Sequence, residues 1–213
     1  MSHPDQAFGD KTYSQFGEDL IILNVFYKLG IDKGSYFDVG AHHPYNISNT
    51  ALLYERGHSG ICVEANPNHI EAFNRHRGRD MILNVGVGPV AGELEFFMVD
   101  DFSGRNSFDY DTVLQFIKLH PEFKLNKVVP IKVVTLDSLY AQYGVPDLLC
   151  IDIEGLDYPV LQTMLGRPKI ICVENHGKVE YFDNLLKLLK YDKIFNTIGN
   201  GIYIHESCAG HRN

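Results

Sequence analysis

The chain has 213 residues, 45% hydrophobic and 22% charged, enough to bury a substantial core and too apolar to remain disordered. A formal net charge of −8, with no local run of lysine and arginine, argues against a nucleic-acid polyanion as the main partner. No apolar stretch reaches membrane-spanning length, and the opening Met1-Ser2-His3-Pro4-Asp5-Gln6 lacks the basic-then-apolar pattern of a signal peptide, so a cytoplasmic location is expected.

In chain order, residues 1–12 are polar and expected to be loose. Glu18 and Asp19 then open an apolar-rich helix over 20–26 that ends near Gly30. It reads either as a packing helix or as a flap over a site. Residues 35–39 form a first strand, and a helical pattern follows over 47–56 with Gly57 as its C-cap. The second strand covers 60–64. Asn66-Pro67 supplies an N-cap and a first-turn proline for the next helix, and 81–86 is the third strand.

Added strands are expected at 93–99 and 129–134. Between them, 100–128 is a polar insertion near the active edge, centred on Ser103-Gly104-Arg105-Asn106-Ser107, with a short helix over 112–119. A helix begins near Leu136. Two buried strands, 147–152 and 169–174, precede a helix over 179–189. The end reads as a hairpin, 193–197 and 202–205, around Gly199-Asn200-Gly201. Cys62, Cys150 and Cys172 sit inside apolar runs with no CxxC pair, which suits buried reduced thiols.

Strands alternating with helices specify right-handed βαβ units and a mainly parallel sheet with an antiparallel C-terminal hairpin. No repeat or linker divides residues 1–213, so one domain is expected, with 1–30 as its helical flap. The carboxyl ends of the strands share one rim, where open α/β sheets bind ligands. That rim carries Asp38 with Gly40, Glu64, Asn84 with Gly86, Asp152 with Glu154, and Glu174 with His176. Glycine at 40 lets the backbone approach a ligand. Glu64, 24 residues beyond Gly40, is placed to accept both hydroxyls of a ribose, unless a neighbouring helix N-terminus satisfies it.

Neither GxGxxG nor GxxxxGK[ST] is present, so nothing cradles a pyrophosphate. A nucleoside without phosphates fits better, and S-adenosylmethionine has the ribose, the adenine and a cation for an acidic rim. Asp152 would hold the ammonium or offset the sulfonium, and Glu154 would face an acceptor. Alternatively these acids pair with arginines or cap a helix after Gly155. Asp152, Glu154 and His176 form a mixed carboxylate and imidazole set that would also suit Mn, Fe or Zn. Their spacing matches no standard ligand motif, so a divalent metal is possible but not expected.

Several stretches resemble the FkbM-type methyltransferases: Tyr13-Ser14-Gln15-Phe16-Gly17-Glu18-Asp19, Phe37-Asp38-Val39-Gly40-Ala41, Val63-Glu64-Ala65-Asn66-Pro67, Val134-Thr135-Leu136-Asp137 and Ile151-Asp152-Ile153-Glu154-Gly155. Where many members have a second glycine, His42-His43-Pro44 stands, followed by Ser48-Asn49-Thr50, as in one branch of the family. The resemblance implies a class I Rossmann-like α/β/α fold with a seven-stranded sheet and S-adenosylmethionine as methyl donor. It implies cofactor contacts along the matched motifs at Gln15, Asp38, Gly40, Ala41, His42, Asn49, Glu64, Ala65 and Asn66, at Asn84, Val85 and Gly86 by the adenine, and at Asp152 by the methionine end.

Family members methylate hydroxyls on macrolide-type products or sugars, so the expected partner is a small-molecule or sugar hydroxyl. Expected catalytic residues are His176, Glu154 and Asp152. His176 is the favoured base for the hydroxyl proton, with a surface-loop histidine as its plainer reading. The Asn/Asp-Pro-Pro-aromatic turn of base-methylating enzymes is replaced by Asp-Ile-Glu-Gly. The rival readings are a scaffold or nucleoside-binding domain without catalysis and, less favoured, an atypical NAD-dependent oxidoreductase.

Overall fold

Short apolar runs become the central parallel strands because they are buried on both faces and too short for a helix, whereas the edge strand at 81–83 is only partly buried. The computed structural model describes residues 12–211; of the segment expected to be loose, residues 1–11 lie outside the described residues. The elements are α1 (Glu18–Lys28), β1 (Ser35–Val39), α2 (Ala51–Glu55), β2 (Ser59–Val63), α3 (Ile70–His76), β3 (Met81–Leu83), β4 (Gly86–Val87), β5 (Gly92–Met98), α4 (Tyr110–Leu119), β6 (Lys127–Val134), α5 (Leu136–Tyr143), β7 (Leu148–Ile151), α6 (Asp157–Thr163), β8 (Ile170–Glu174), α7 (Val179–Leu188), β9 (Tyr191–Asn196) and β10 (Asn200–His205).

The main sheet has seven strands in the order β3-β2-β1-β7-β8-β10-β9. β3 through β8 in that order run parallel, and β10 pairs antiparallel with both β8 and β9. Phe37 lies opposite both Ile61 and Leu149. Strand order reverses between β1 and β7, which opens a crevice at their carboxyl ends.

Side-chain alternation along these strands builds a core on each face. Phe37, Val39, Leu149, Ile151, Ile171 and Val173 pack with α5, α6 and α7 through residues such as Leu139, Leu161 and Leu186. Tyr36, Cys62, Leu148, Cys150, Ile170 and Cys172 pack with α1, α2 and α3 through residues such as Phe26, Leu53 and Phe73. The four cysteines are unpaired and buried. Among the described residues no helix is long and apolar enough to cross a membrane.

Several boundaries differ from the sequence reading. The helix expected over 47–56 is only Ala51–Glu55, because Ile47 takes a left-handed φ of 55° and Ser48 Oγ accepts from Ala51 N at 3.2 Å. The strand expected over 81–86 stops at Leu83, where Asn84 turns its side chain back to donate to the Glu64 and Ala65 carbonyls at 2.8 and 3.0 Å. Gly86–Val87 instead joins β6, and with β5 they form a second, three-stranded sheet, order β4-β6-β5. The terminal turn occupies 197–199, with Asn200 and Gly201 already in β10.

Residues 18–28 pack one face onto the sheet. Ile22, Leu23, Val25 and Phe26 are buried, each such burial contributing about 1.5–3 kcal/mol.

Candidate active site

The site begins where β1 and β7 leave the sheet. Gly40 has a φ of 81°, and a Cβ there would lie 1.7 Å from the Asp152 carbonyl oxygen. The glycine is therefore required by the neighbouring strand end, before any ligand is considered. Gly40 and Ala41 donate to the Val63 carbonyl at 2.9 and 3.1 Å, and Asp152 donates to that of Val39 at 3.0 Å. These bonds lock three strand ends around a cavity of about 340 Å³, within the range of small-molecule sites. Residues 103–108 form its far wall, with Phe96 of β5 beside them.

Glu64 is held from both sides: Oε2 accepts from His42 N and Oε1 from Asn66 N, each at 2.7 Å. Burial pushes its pKa up, while those two bonds pull it down. Each oxygen keeps lone-pair capacity for a ligand hydroxyl.

Asp152, Glu154 and Glu174 gather together on the cavity wall. Burial, then the charge of Asp152, pushes Glu174 up, and burial, then Glu154, pushes Asp152 up to about 6. Asp152 is ringed by protein yet open to the cavity. Arg105 Nη1 lies 3.6 Å from Glu154 Oε1, and His176 Nε2 lies 3.9 Å from Glu174 Oε1. Asp157 is buried and straps the turn, accepting from Ile153 N at 3.0 Å and Gly155 N at 3.3 Å.

Backbone strain concentrates here. Among the described residues, non-glycine positive φ occurs at His42, Ile47, Glu154 and Lys190, and all but Lys190 line the cavity. Such conformations persist where surroundings enforce them and mark functional sites. His69 lines the same wall, with its ring 4.5 Å from that of His42. Burial, then His42, lowers its pKa to about 4, and its Nε2 is buried without a hydrogen-bond partner.

Of the residues singled out from sequence, Gln15, Gly40, His42, Glu64, Ala65, Asn66, Val85, Gly86, Asp152, Glu154 and His176 meet around this cavity. Asp38, Ala41, Asn49 and Asn84 do not line it. Asp38 is buried behind β1, accepting from the Thr50 hydroxyl, because alternation points it away from the site-bearing face. Ala41 packs with the α1–α3 core, Asn49 Nδ2 lies 3.9 Å from Cys172 Sγ, and Asn84 braces the backbone after β2.

The sequence reading missed His69, Phe96, Phe108 and Ile153 as lining residues, and noted Arg105 and Glu174 without giving them roles. Arg105 carried a usable signal, a cation in a polar loop facing an acidic rim. Phe96 and Phe108 carried none. Among the described residues no group of three or more His, Cys, Asp or Glu side chains is arranged to hold a metal ion.

The family model of the Methyltransferase FkbM domain matches residues 38–195. No curated protein matches the chain significantly. Among solved structures, the crystal structure of Thermoplasma acidophilum 1320 aligns over 89% of this chain and 89% of its own, at 12% identity and a TM-score of 0.46. The mainly parallel seven-stranded sheet with its antiparallel hairpin is the class I methyltransferase fold that the motifs implied. With most of its length, from the end of β1 into β9, inside that match, the chain belongs to the FkbM methyltransferase domain family.

Proposed function

We propose that the protein is an S-adenosylmethionine-dependent O-methyltransferase acting on a hydroxyl of a small molecule or sugar. The observation that carries this reading is Glu64, a buried carboxylate gripped by two backbone N–H groups on the wall of an acidic cavity at the switch point of the sheet. A diol is the natural partner for its remaining lone pairs.

The residues present suit the cofactor. Glu64 would hold the ribose, Val85, Gly86 and Phe108 would border the adenine, and Asp152 would face the cationic methionine end. When bound, the cofactor supplies an electrophilic methyl group whose S–C bond breaks as the O–C bond forms, the electron pair staying on sulfur. The protein's part is to align the acceptor oxygen and exclude water. His176, whose Nε2 lies 3.9 Å from Glu174 Oε1, would take the hydroxyl proton. Glu154 is the second proton acceptor, its carboxylate turned toward Arg105. Asp152 and Glu174, both pushed up, share charge that a cation would relieve.

Calorimetric titration with S-adenosylmethionine and S-adenosylhomocysteine tests this directly. Wild type is expected to bind both, and Glu64→Ala to bind at least about tenfold more weakly, roughly 1.4 kcal/mol, with a cooperative thermal melt retained. Failure of wild type to bind either ligand would remove the reading.

A further inference from the structure

His69 ends the short turn Pro67–His69 and stands at the start of α3. Its side chain lines the cavity although the residue is only 3% exposed, and its Nε2 is buried without a hydrogen-bond partner. A buried polar atom left unpaired destabilises the fold, so this one calls for a partner that the free protein does not hold. The residues around it point to that partner. The backbone N of His69 donates to the Asn66 carbonyl at 3.3 Å, and its ring stands 4.5 Å from that of His42. Asn66 and His42 are the two residues whose N–H groups hold Glu64. His42 Nε2 is engaged with the Phe102 carbonyl at 3.1 Å, which leaves the nitrogen of His69 as the open one in this corner.

We propose that His69 is a second ribose contact, its Nε2 pairing with a hydroxyl of the diol that Glu64 holds. The inference rests on the cofactor reading given above. An ionised Glu64 can only accept, so it takes a hydrogen from each hydroxyl and leaves the hydroxyl lone pairs unanswered. A neutral imidazole nitrogen donates or accepts according to its tautomer, and a hydroxyl can meet either role. Burial, then the charge of His42, disfavours the imidazolium, so the ring brings no cation that would compete with the diol for Glu64. Phe102 packs against the His69 ring, centroids 5.6 Å apart, and is itself 62% exposed. An outward swing of that side chain admits the hydroxyl to Nε2.

The test is calorimetry on wild type, His69→Phe, His69→Leu and His69→Gln. S-adenosylhomocysteine is titrated directly, and its 2′-deoxy and 3′-deoxy analogues and S-inosylhomocysteine by displacement. His69→Phe and His69→Leu remove the nitrogen and keep an apolar filling, so at least one should retain a cooperative melt. Each folded apolar variant should bind S-adenosylhomocysteine about tenfold more weakly, the scale of one hydrogen bond to a buried group. His69→Gln, which returns an amide near the place of Nε2, should recover most of that affinity. The loss should vanish with at least one deoxy analogue and persist in full with S-inosylhomocysteine. An equal loss with every ligand would mark a residue that only shapes the corner. A loss that vanishes with the inosine ligand alone would move the contact to the base. Either result, or no loss at all, would overturn the proposal and leave the cofactor reading standing. Failure of wild type to bind S-adenosylhomocysteine would instead bring down both.

Discussion

Glu174 ends β8 beside Asp152, which follows β7, and two carboxylates so placed cannot both ionise cheaply. Burial and Asp152 push Glu174 up to about 9 from 4.5. A carboxyl raised in the folded state contributes most below its unfolded pKa, and that contribution is lost as pH climbs through the folded value. The contribution of Glu174 to folding stability is therefore expected to fall between about pH 4.5 and 9. Glu174→Gln keeps the shape without the charge. Its melting temperature should match wild type at pH 5 and exceed it at pH 8 by about 2–4 °C, the shift that ~1 kcal/mol produces in a chain of this size. An equal drop at both pH values would show that the carboxyl is structural instead. At this scale Glu64 and Gly40 were legible, an acid and a glycine at the right spacing. The reason for Gly40 was not: the atom that excludes a Cβ belongs to Asp152, more than a hundred residues away in sequence. Asp38 was misassigned to the pocket because its polarity was visible and the face it points to was not.

Elements around the first crossover are tied by one buried cation. Arg77, at the end of α3, donates to Asp80 at 2.8 Å, to the Pro44 carbonyl at 2.8 Å, to the Tyr36 hydroxyl at 2.9 Å and to Thr50 Oγ1 at 3.1 Å. Asp80 also accepts from Gly60 N at 2.8 Å, and Thr50 bonds Asp38. One guanidinium thus joins β1, the loop carrying His42, the start of α2 and the start of β2. Arg77→Met leaves Asp80 and Asp38 buried without their cation, and the urea midpoint should fall by the equivalent of about 3–5 kcal/mol. Adding Asp80→Asn should recover part of it; no loss in the single variant would contradict the network. Periodicity located β1, β2, β7 and β8 well, since each is a buried apolar run. It could not tell that 86–87 leaves the main sheet, because the diversion is made by Asn84 bonding back to residues 64 and 65.

Across the whole molecule, the two ends of the described chain meet. Glu18 of α1 accepts from Thr197 Oγ1 at 2.6 Å and Asn200 Nδ2 at 3.1 Å, and against the burial that would raise it, these bonds hold its carboxyl below the usual range. Strand alternation with helices made the α/β class legible, but the order of the strands was not, because pairing partners are set by tertiary packing that no local pattern encodes. Where the terminal hairpin docks was equally invisible, since β10 pairs with β8 through Gly201 and Ile202, residues with no distinguishing pattern.

Cys62, Cys150 and Cys172 share one face of the central sheet under α1, α2 and α3, whereas Cys208 lies beyond β10 in the short helical turn at the chain's end. Burial raises the thiols of Cys62 and Cys150, suppressing the reactive thiolate. These four sulfurs make the protein its own opening meter. Under a thiol-specific mass tag, Cys208, outside the sheet in the short turn after β10, should react first, and the other three together, when the helical layer lifts from the sheet as one cooperative unit. Mass spectra would then show a jump from one label to four, with a rate following global unfolding. A ladder of two- and three-label species would mean that this face opens helix by helix.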